Sequence, residues 1–202
     1  MPGFYHDLIT EKSFNILQDL RKKFKFILIG GWAVFLYARA LKSKDIDIIV
    51  DYDELEKIRK EYALFKNDRL KKYEIKAEET DVDIYLPYFS DLGLKPEEIQ
   101  NYCQSIEGFW VPVAEVLLIL KVCAYLDRQG SVKGGKDLID IFSLLKNVKI
   151  DWQKYKELIK KYGQEKLSGE LKNLVSGQRA IPELDLSEHK ISRLKKEILQ
   201  RI

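Results

Sequence analysis

The sequence predicts an α+β protein, with an α/β part in the first half and a helical part in the second. In about the first 90 residues, helical spacing of apolar residues alternates with short apolar runs typical of strands. From Val113 onward the helical spacing continues, while strand patterns are nearly absent. We therefore predict two parts, residues 1–90 and residues 91–202, joined by a linker at 90–96.

The predicted elements of the first part begin with a helix and a strand that stops at two glycines. Period-two alternation and apolar runs define the strands, and Pro87 ends the last of them. In chain order we expect a helix ending near Phe24, strand 26–29, helix 32–41, strand 45–50, helix 53–65, strand 73–76 and strand 81–86.

The second part is predicted to consist mainly of helices. A short edge strand at 107–113 is expected before them, because Pro112 is tolerated at the edge of a sheet. The predicted helices are 113–128, 136–146, 152–162 and 188–201.

Composition describes an ordinary globular protein. Of 202 residues, 46% are hydrophobic and 33% are charged, and the net charge of +3 does not by itself indicate a nucleic-acid partner. Abundant Lys and Glu with a single Met resemble proteins from thermophiles. The most apolar stretch, 111–126, is too short and too interrupted to cross a membrane. Cys103 and Cys123 lack zinc-site spacing, so we expect free thiols and a cytoplasmic location.

Gly30 and Gly31 lie between a predicted strand and a predicted helix. Without a Cβ, these residues let a phosphate approach the helix N-terminus, where backbone N–H groups bind anions. The alternative is a tight turn that binds no ligand.

Asp45 and Asp47 lie two residues apart on a predicted strand. Their carboxylates therefore point to one face, while Ile46 and Ile48 enter the core. Two adjacent anions repel each other unless divalent cations neutralise them, and carboxylates suit Mg²⁺. The alternative is a solvent-facing strand with acidic decoration.

A second Asp-hydrophobe-Asp unit, Asp81-Val82-Asp83, begins another predicted strand. A third carboxylate on a neighbouring strand suits phosphoryl transfer by two metal ions. We select Asp83, which precedes Ile84 as Asp47 precedes Ile48, although Asp81 stays open and a merely hydrophilic strand start is the alternative.

Ile29-Gly30-Gly31, followed after thirteen residues by Asp45-Ile46-Asp47-Ile48, resembles the DNA polymerase β-like nucleotidyltransferase superfamily. The resemblance covers about residues 24–86. It implies a mixed sheet with the site on one face, Mg²⁺ (or Mn²⁺) as cofactor, and transfer of a nucleoside monophosphate from an NTP.

The helical part resembles abortive-infection, toxin-type nucleotidyltransferases through Leu118-Ile119-Leu120-Lys121, Arg128 and 136–141. The resemblance implies that Lys121 binds nucleotide phosphates and that Asp137 or Asp140 supports the site. From the residues alone, Lys121 could instead extend from a helix flank to solvent, and Asp137 could be a helix N-cap.

Four residues near the motifs have two interpretations each. Ser43 could bind a phosphate, with Arg39 and Lys44 offsetting its charge, and each of the three could equally be a solvated surface residue. Trp32 could wall the nucleotide pocket or belong to the core.

The function expected from these motifs is metal-dependent nucleotidyl transfer. Asp45, Asp47 and Asp83 are predicted to hold two Mg²⁺ ions, and Asp83 to take the proton of the acceptor hydroxyl. Gly30, Gly31 and Ser43 are predicted to hold the triphosphate. The acceptor is expected to be an RNA 3′ end or a protein, with a small molecule as the other option.

Two alternatives belong to other classes. One is a catalytically silent nucleotide-binding regulatory module, for instance half of a toxin–antitoxin pair whose partner protein is encoded elsewhere. The other is a structural interaction protein whose acid pairs have no chemical role.

Overall fold

The computed structural model describes residues 2–76 and 80–202, with side chains from residue 8 onward. It divides into two compact units, the first ending at Val113 and the second spanning Ala114–Ile202. The sequence-based boundary lies at residue 90. Residues 91–113 fall in the first unit because they contribute a hairpin that pairs with its sheet.

The first unit alternates helices and strands. The helices are α1 (Pro2–Lys23), α2 (Gly30–Ala38), α3 (Tyr52–Glu61) and α4 (Pro96–Ile99). The strands are β1 (Ile27–Ile29), β2 (Ile46–Ile49), β3 (Phe65–Asn67), β4 (Lys72–Lys76), β5 (Asp81–Tyr85), β6 (Cys103–Ile106) and β7 (Phe109–Pro112).

The described strands form a seven-stranded sheet in the order β3-β4-β5-β2-β1-β7-β6. The β2–β5 and β1–β7 pairs are parallel, and the other pairs are antiparallel. The mixed sheet and the helical second unit confirm the predicted α+β class.

One face of the sheet is the core face of this unit. Leu28, Ile46, Ile48, Val82 and Ile84 are each at most 2% exposed. In β2 and β5 these residues alternate with Asp47, Asp81 and Asp83, since successive side chains point to opposite faces. The polar residues of β2, β4 and β5 therefore share the other face.

Three predicted elements of this unit differ from the structure. The helix predicted to reach residue 41 ends at Ala38, because Arg39 adopts a left-handed conformation (φ 52°) as its C-cap. The helix predicted to reach residue 65 ends at Glu61, and Phe65 begins β3 instead. The strand expected at an edge, β7, lies between β1 and β6.

The second unit is helical, as predicted. Its helices are α5 (Ala114–Asp127), α6 (Val132–Asn147), α7 (Trp152–Lys161), α8 (Lys166–Gly177) and α9 (Glu188–Leu199). The sequence-based assignment missed α8 and began α6 four residues too late.

Helix α5 is the centre of this unit and contacts α6, α7 and α8. It is apolar all round, and its residues from Ala114 to Cys123 are buried. The buried Glu115 accepts a hydrogen bond of 2.9 Å from the backbone N–H of Asp151. Asp151 is the N-cap residue of α7. A buried carboxylate is thereby satisfied at a helix junction.

Neither a membrane-spanning helix nor a disulfide occurs in the described part of the chain. No helix there combines the length and the apolar character needed to cross a bilayer. Cys103 and Cys123 are free thiols, and burial raises the pKa of Cys103 to about 12. The expected free thiols are confirmed.

Replacing Ile48 by Ala should lower the free energy of unfolding by about 2–5 kcal/mol, because it removes a side chain from the buried face of the sheet. Phe65→Ala is the matched control. The Phe65 side chain is 55% exposed, so its loss should cost no more than about 0.5 kcal/mol. Equal urea midpoints for the two variants would contradict this core assignment.

Candidate active site

Two of the acids predicted from the sequence, Asp47 and Asp83, are neighbours on the polar face of the sheet. In the parallel β2–β5 pair, Asp47 lies directly opposite Asp83. Adjacent strands are about 4.8 Å apart, so the two carboxylates are neighbours on one face. Asp45 precedes β2 by one residue and is half-buried, like Asp47. The register places Asp83, rather than Asp81, beside Asp47.

Gly30 makes the position of Asp47 sterically feasible. Gly30 has a φ of +68°, and a Cβ at this position would lie 2.1 Å from Asp47 Oδ2 and 2.7 Å from its Cγ. Both the backbone conformation and the space therefore require glycine. Asp47 consequently lies against the first residue of α2, where the positive end of the helix dipole favours an anion.

Tyr85 also contacts Asp47. Tyr85 is the last residue of β5, and its hydroxyl donates a hydrogen bond of 3.3 Å to Asp47 Oδ1. Tyr85 follows Asp83 by two residues and so lies on the same face. Sequence reasoning missed this residue, although the period-two spacing after Asp83 indicated its face.

Lys72 and Glu74 on β4 extend the polar face, and sequence reasoning also missed both. Glu74 lies opposite Asp83 in the antiparallel β4–β5 pair. Lys72 Nζ lies 2.5 Å from Asp83 Oδ2 and 3.0 Å from Glu74 Oε1. The alternating Lys72-Tyr73-Glu74-Ile75-Lys76 was the sequence signal, because it places three charges on one face.

These contacts shift two pKa values. Burial lowers the pKa of Lys72, but hydrogen bonds to Asp83 and Glu74 outweigh it, and the net pKa is raised. A hydrogen bond from Lys76 lowers the pKa of Glu74 to about 2, with burial opposing and Lys72 and Asn67 assisting. Lys72 and Glu74 are therefore both charged at neutral pH.

The donor set on this face suits a hard divalent cation. Asp45, Asp47 and Asp83 offer carboxylate oxygens, which Mg²⁺ prefers over nitrogen or sulfur. Within residues 2–76 and 80–202, no group of three or more His, Cys, Asp or Glu converges in the arrangement of a metal site. Asp83 is instead engaged by the Lys72 ammonium group, so Asp45 and Asp47 are the acids of this set that could hold a metal ion.

The remaining predicted residues of the first unit have structural partners. Ser43 donates its hydroxyl to the Asp45 carbonyl (2.9 Å), so it orders the backbone before β2. Arg39 forms an ion pair with Glu107. Trp32 is 1% exposed and donates to Ser13 Oγ (2.9 Å), which confirms the core interpretation of Trp32.

Lys121 and Asp137 form a buried ionic cluster in the second unit. Lys121 Nζ lies 2.6 Å from Asp140 Oδ2 and 3.2 Å from Asp137 Oδ1. Arg128 makes a bidentate pair with Asp137, with Nε at 2.6 Å and Nη2 at 3.0 Å. Lys121, Asp137 and Asp140 are each at most 9% exposed.

The cluster excludes two interpretations offered by the sequence. Lys121 does not extend to solvent, since it is 8% exposed. Asp137 is not an N-cap, because α6 begins at Val132 and Ser131 accepts the capping hydrogen bond from the Gly134 N–H (3.0 Å). Asp137 is thus an interior helix residue that fixes two cations.

A cavity of the first unit lies away from these acids. It has a volume of about 460 Å³ and opens where β1 begins and β2 ends, lined by Lys25, Ile27, Ile49 and Trp110 among others. Asp45 and Asp47 lie toward the opposite end of the same strands. We place the candidate site at Asp45, Asp47 and Asp83, because paired strands bring Asp47 and Asp83 together on one face and carboxylates can bind a metal ion.

Two solved structures share this arrangement of helices and strands. A candidate nucleotidyltransferase from H. pylori is 17% identical, with a TM-score of 0.51 over 96% of this chain and 96% of that chain. An antigenic nucleotidyltransferase-like protein from Paracoccidioides brasiliensis is 20% identical, with a TM-score of 0.50 over 92% and 93%. No protein-family model and no curated protein match the sequence. The chain has a nucleotidyltransferase-like fold, which confirms the predicted fold.

Gly30→Ala should destabilise the protein, because the new Cβ meets Asp47 and the positive φ is unfavourable for alanine. Combining it with Asp47→Ala removes the two shortest contacts. The double variant should therefore lose less free energy of unfolding than the sum of the single losses, by about 0.5–3 kcal/mol. Gly169→Ala in α8, where a Cβ meets no atom within 4 Å, should be neutral or stabilising. Additive losses would refute the contact.

Glu74→Gln should weaken the acid dependence of stability. The folded-state pKa of Glu74, about 2, lies below its ordinary value of 4.5, so its contribution is present above pH 4.5 and is lost as pH falls towards 2. This contribution has an upper limit of about 3 kcal/mol. Urea unfolding of both proteins from pH 7 to pH 2 should show a flatter profile for the variant, and parallel profiles would disprove the assignment.

Proposed function

We propose that this protein is a nucleotidyltransferase that moves a nucleoside monophosphate from an NTP to a hydroxyl group. The observation that carries the proposal is the placement of Asp47 between the start of α2 and Asp83. Carboxylates can bind a divalent cation, and the N-terminus of a helix that begins with glycine can bind an anion. Here the two kinds of site are adjacent. A nucleoside triphosphate complexed with a divalent ion presents both charges together.

Asp45 and Asp47 are the residues that would hold a magnesium ion. Such an ion, when bound, neutralises phosphate charge and orients the triphosphate. Tyr85 orients Asp47 through its hydroxyl, as outer-shell groups commonly do for ligating carboxylates. The two-ion prediction would also need Asp83, which accepts from Lys72.

Backbone groups at the start of α2 are the proposed contact for the triphosphate. Gly30 and Gly31 present no side chain there, so an anion can approach the N–H groups of the first turn. Ser43 donates to a backbone carbonyl and is better suited to shaping the loop before Asp45 than to binding a phosphate.

Lys121 and Asp137 stay predicted nucleotide-binding residues, and the second unit shows how their side chains are held. Arg128 holds Asp137, and Asp137 with Asp140 holds the Lys121 ammonium in a fixed position. A fixed ammonium stabilises phosphate charge without reorganisation.

The proposed step is an in-line displacement at the α-phosphorus. An acceptor hydroxyl oxygen forms the new bond, and the bond from the α-phosphorus to the α–β bridging oxygen breaks. Pyrophosphate leaves with the electron pair. We assign the hydroxyl proton to solvent rather than to Asp83, because a carboxylate paired with an ammonium at 2.5 Å is a poor proton acceptor.

Asp45→Asn and Asp47→Asn should each reduce nucleotidyl transfer at least about 100-fold, by removing a carboxylate of the metal site. The measurement is incubation of the protein with Mg²⁺, each NTP labelled at the α-phosphate, and total RNA plus cell extract. Label in RNA or in protein identifies the acceptor class, and label in a small molecule identifies the third option.

Asp53→Asn is the matched control, because Asp53 is an exposed acid in the first turn of α3. It should transfer label at the wild-type rate. Nucleotide binding without pyrophosphate release would instead favour the silent regulatory module. Absence of Mg²⁺-dependent nucleotide binding in the wild-type protein would refute the proposed function.

A further inference from the structure

The third acid of the site is already neutralised by a side chain of the same sheet. Lys72 Nζ lies 2.5 Å from Asp83 Oδ2 on the polar face of the sheet, and Asp83 neighbours Asp47 across the β2–β5 pair. In a two-ion site, that carboxylate would hold a metal ion shared with the other acids. An ammonium therefore already occupies an oxygen of the carboxylate that a second metal ion would need.

We propose that the Lys72 ammonium replaces the second metal ion, so that this site binds one divalent ion, at Asp45 and Asp47. The inference rests on the proposed function, since it concerns the same site. Lys72 then supplies the fixed positive charge beside Asp83, and the site needs one metal ion instead of two.

Burial and a second anchor hold Lys72 in this position. Lys72 and Glu74 are each 8% exposed, and Asp83 is 9% exposed. Glu74 Oε1 lies 3.0 Å from Lys72 Nζ, and Glu74 is itself held by Lys76 at 2.9 Å and Asn67 at 3.2 Å. Breaking one partner out of a buried ion pair leaves an uncompensated charge and is strongly unfavourable.

Electrostatics oppose a second divalent ion next to this ammonium. The Lys72–Asp83 ion pair is largely shielded from water. Charges in such a buried environment interact more strongly than charges in bulk solvent. A metal ion bound to Asp83 would be repelled by Lys72 and would compete with it for Oδ2. With Lys72 removed, Asp83 and Glu74 remain opposite each other as two carboxylates that the ammonium no longer bridges.

The test is a count of bound Mn²⁺ per chain, by electron paramagnetic resonance, with saturating non-hydrolysable α,β-methylene NTP. The wild-type protein should bind one ion. Lys72→Met should bind two, because the vacated position beside Asp83 becomes a cation site. Lys72→Arg, which keeps the charge, should bind one.

Lys76→Met is the matched control, since Lys76 lies on the same face of β4 but pairs with Glu74 and Asp81. It should bind one ion. Two ions in the wild-type protein, or one ion in Lys72→Met, would overturn the inference while leaving the proposed function intact. An ion count of zero in the wild-type protein would overturn both.

A second measurement decides the matter if Lys72→Met does not fold. Asp83→Asn should still bind one Mn²⁺ with an affinity within about threefold of wild type, because Asp83 holds Lys72 rather than the ion. Asp45→Asn should lose the ion. Loss of Mn²⁺ in Asp83→Asn, with folding verified by circular dichroism, would overturn the inference.

Discussion

The register between β2 and β5 is the constraint on which the site depends. It places Asp47 opposite Asp83 and, at the same time, Ile48 opposite Ile84. A shift of one residue would move the aliphatic side chains to the polar face and the acids into the core. Burial of Ile48 and Ile84, at 1% and 0% exposure, therefore stabilises the arrangement of the acids. Core packing and site geometry are determined by one hydrogen-bond register.

Cations of the chain itself balance much of the negative charge on this face. Lys72 and Lys76 pair with Asp83, Glu74 and Asp81, and Asp47 is placed at the start of α2. Without such compensation, several carboxylates on one face would repel each other. The arrangement therefore lowers the electrostatic repulsion among the acids of β4 and β5.

The second unit uses the same principle in a helical setting. Asp137 is 1% exposed and accepts hydrogen bonds from Arg128 and Lys121, so the two helices that carry these residues are joined by charge as well as by apolar packing. Buried ion pairs often add little net stability, but they fix geometry.

The sequence by itself determined the α+β class, the Gly30–Gly31 turn and the acids of β2, because period-two alternation and glycine position are local properties. A family resemblance of the helical part also indicated Lys121 and Asp137 as candidate nucleotide-binding residues. The sequence could not reveal that Lys72 pairs with Asp83 and Glu74, or that Tyr85 donates to Asp47, since these contacts arise only when β4 pairs with β5 and β5 with β2. Nor could it show that β7 is an interior strand, or that Asp137 is held by Arg128. Those relations depend on contacts between residues distant in the chain, which only the tertiary structure decided.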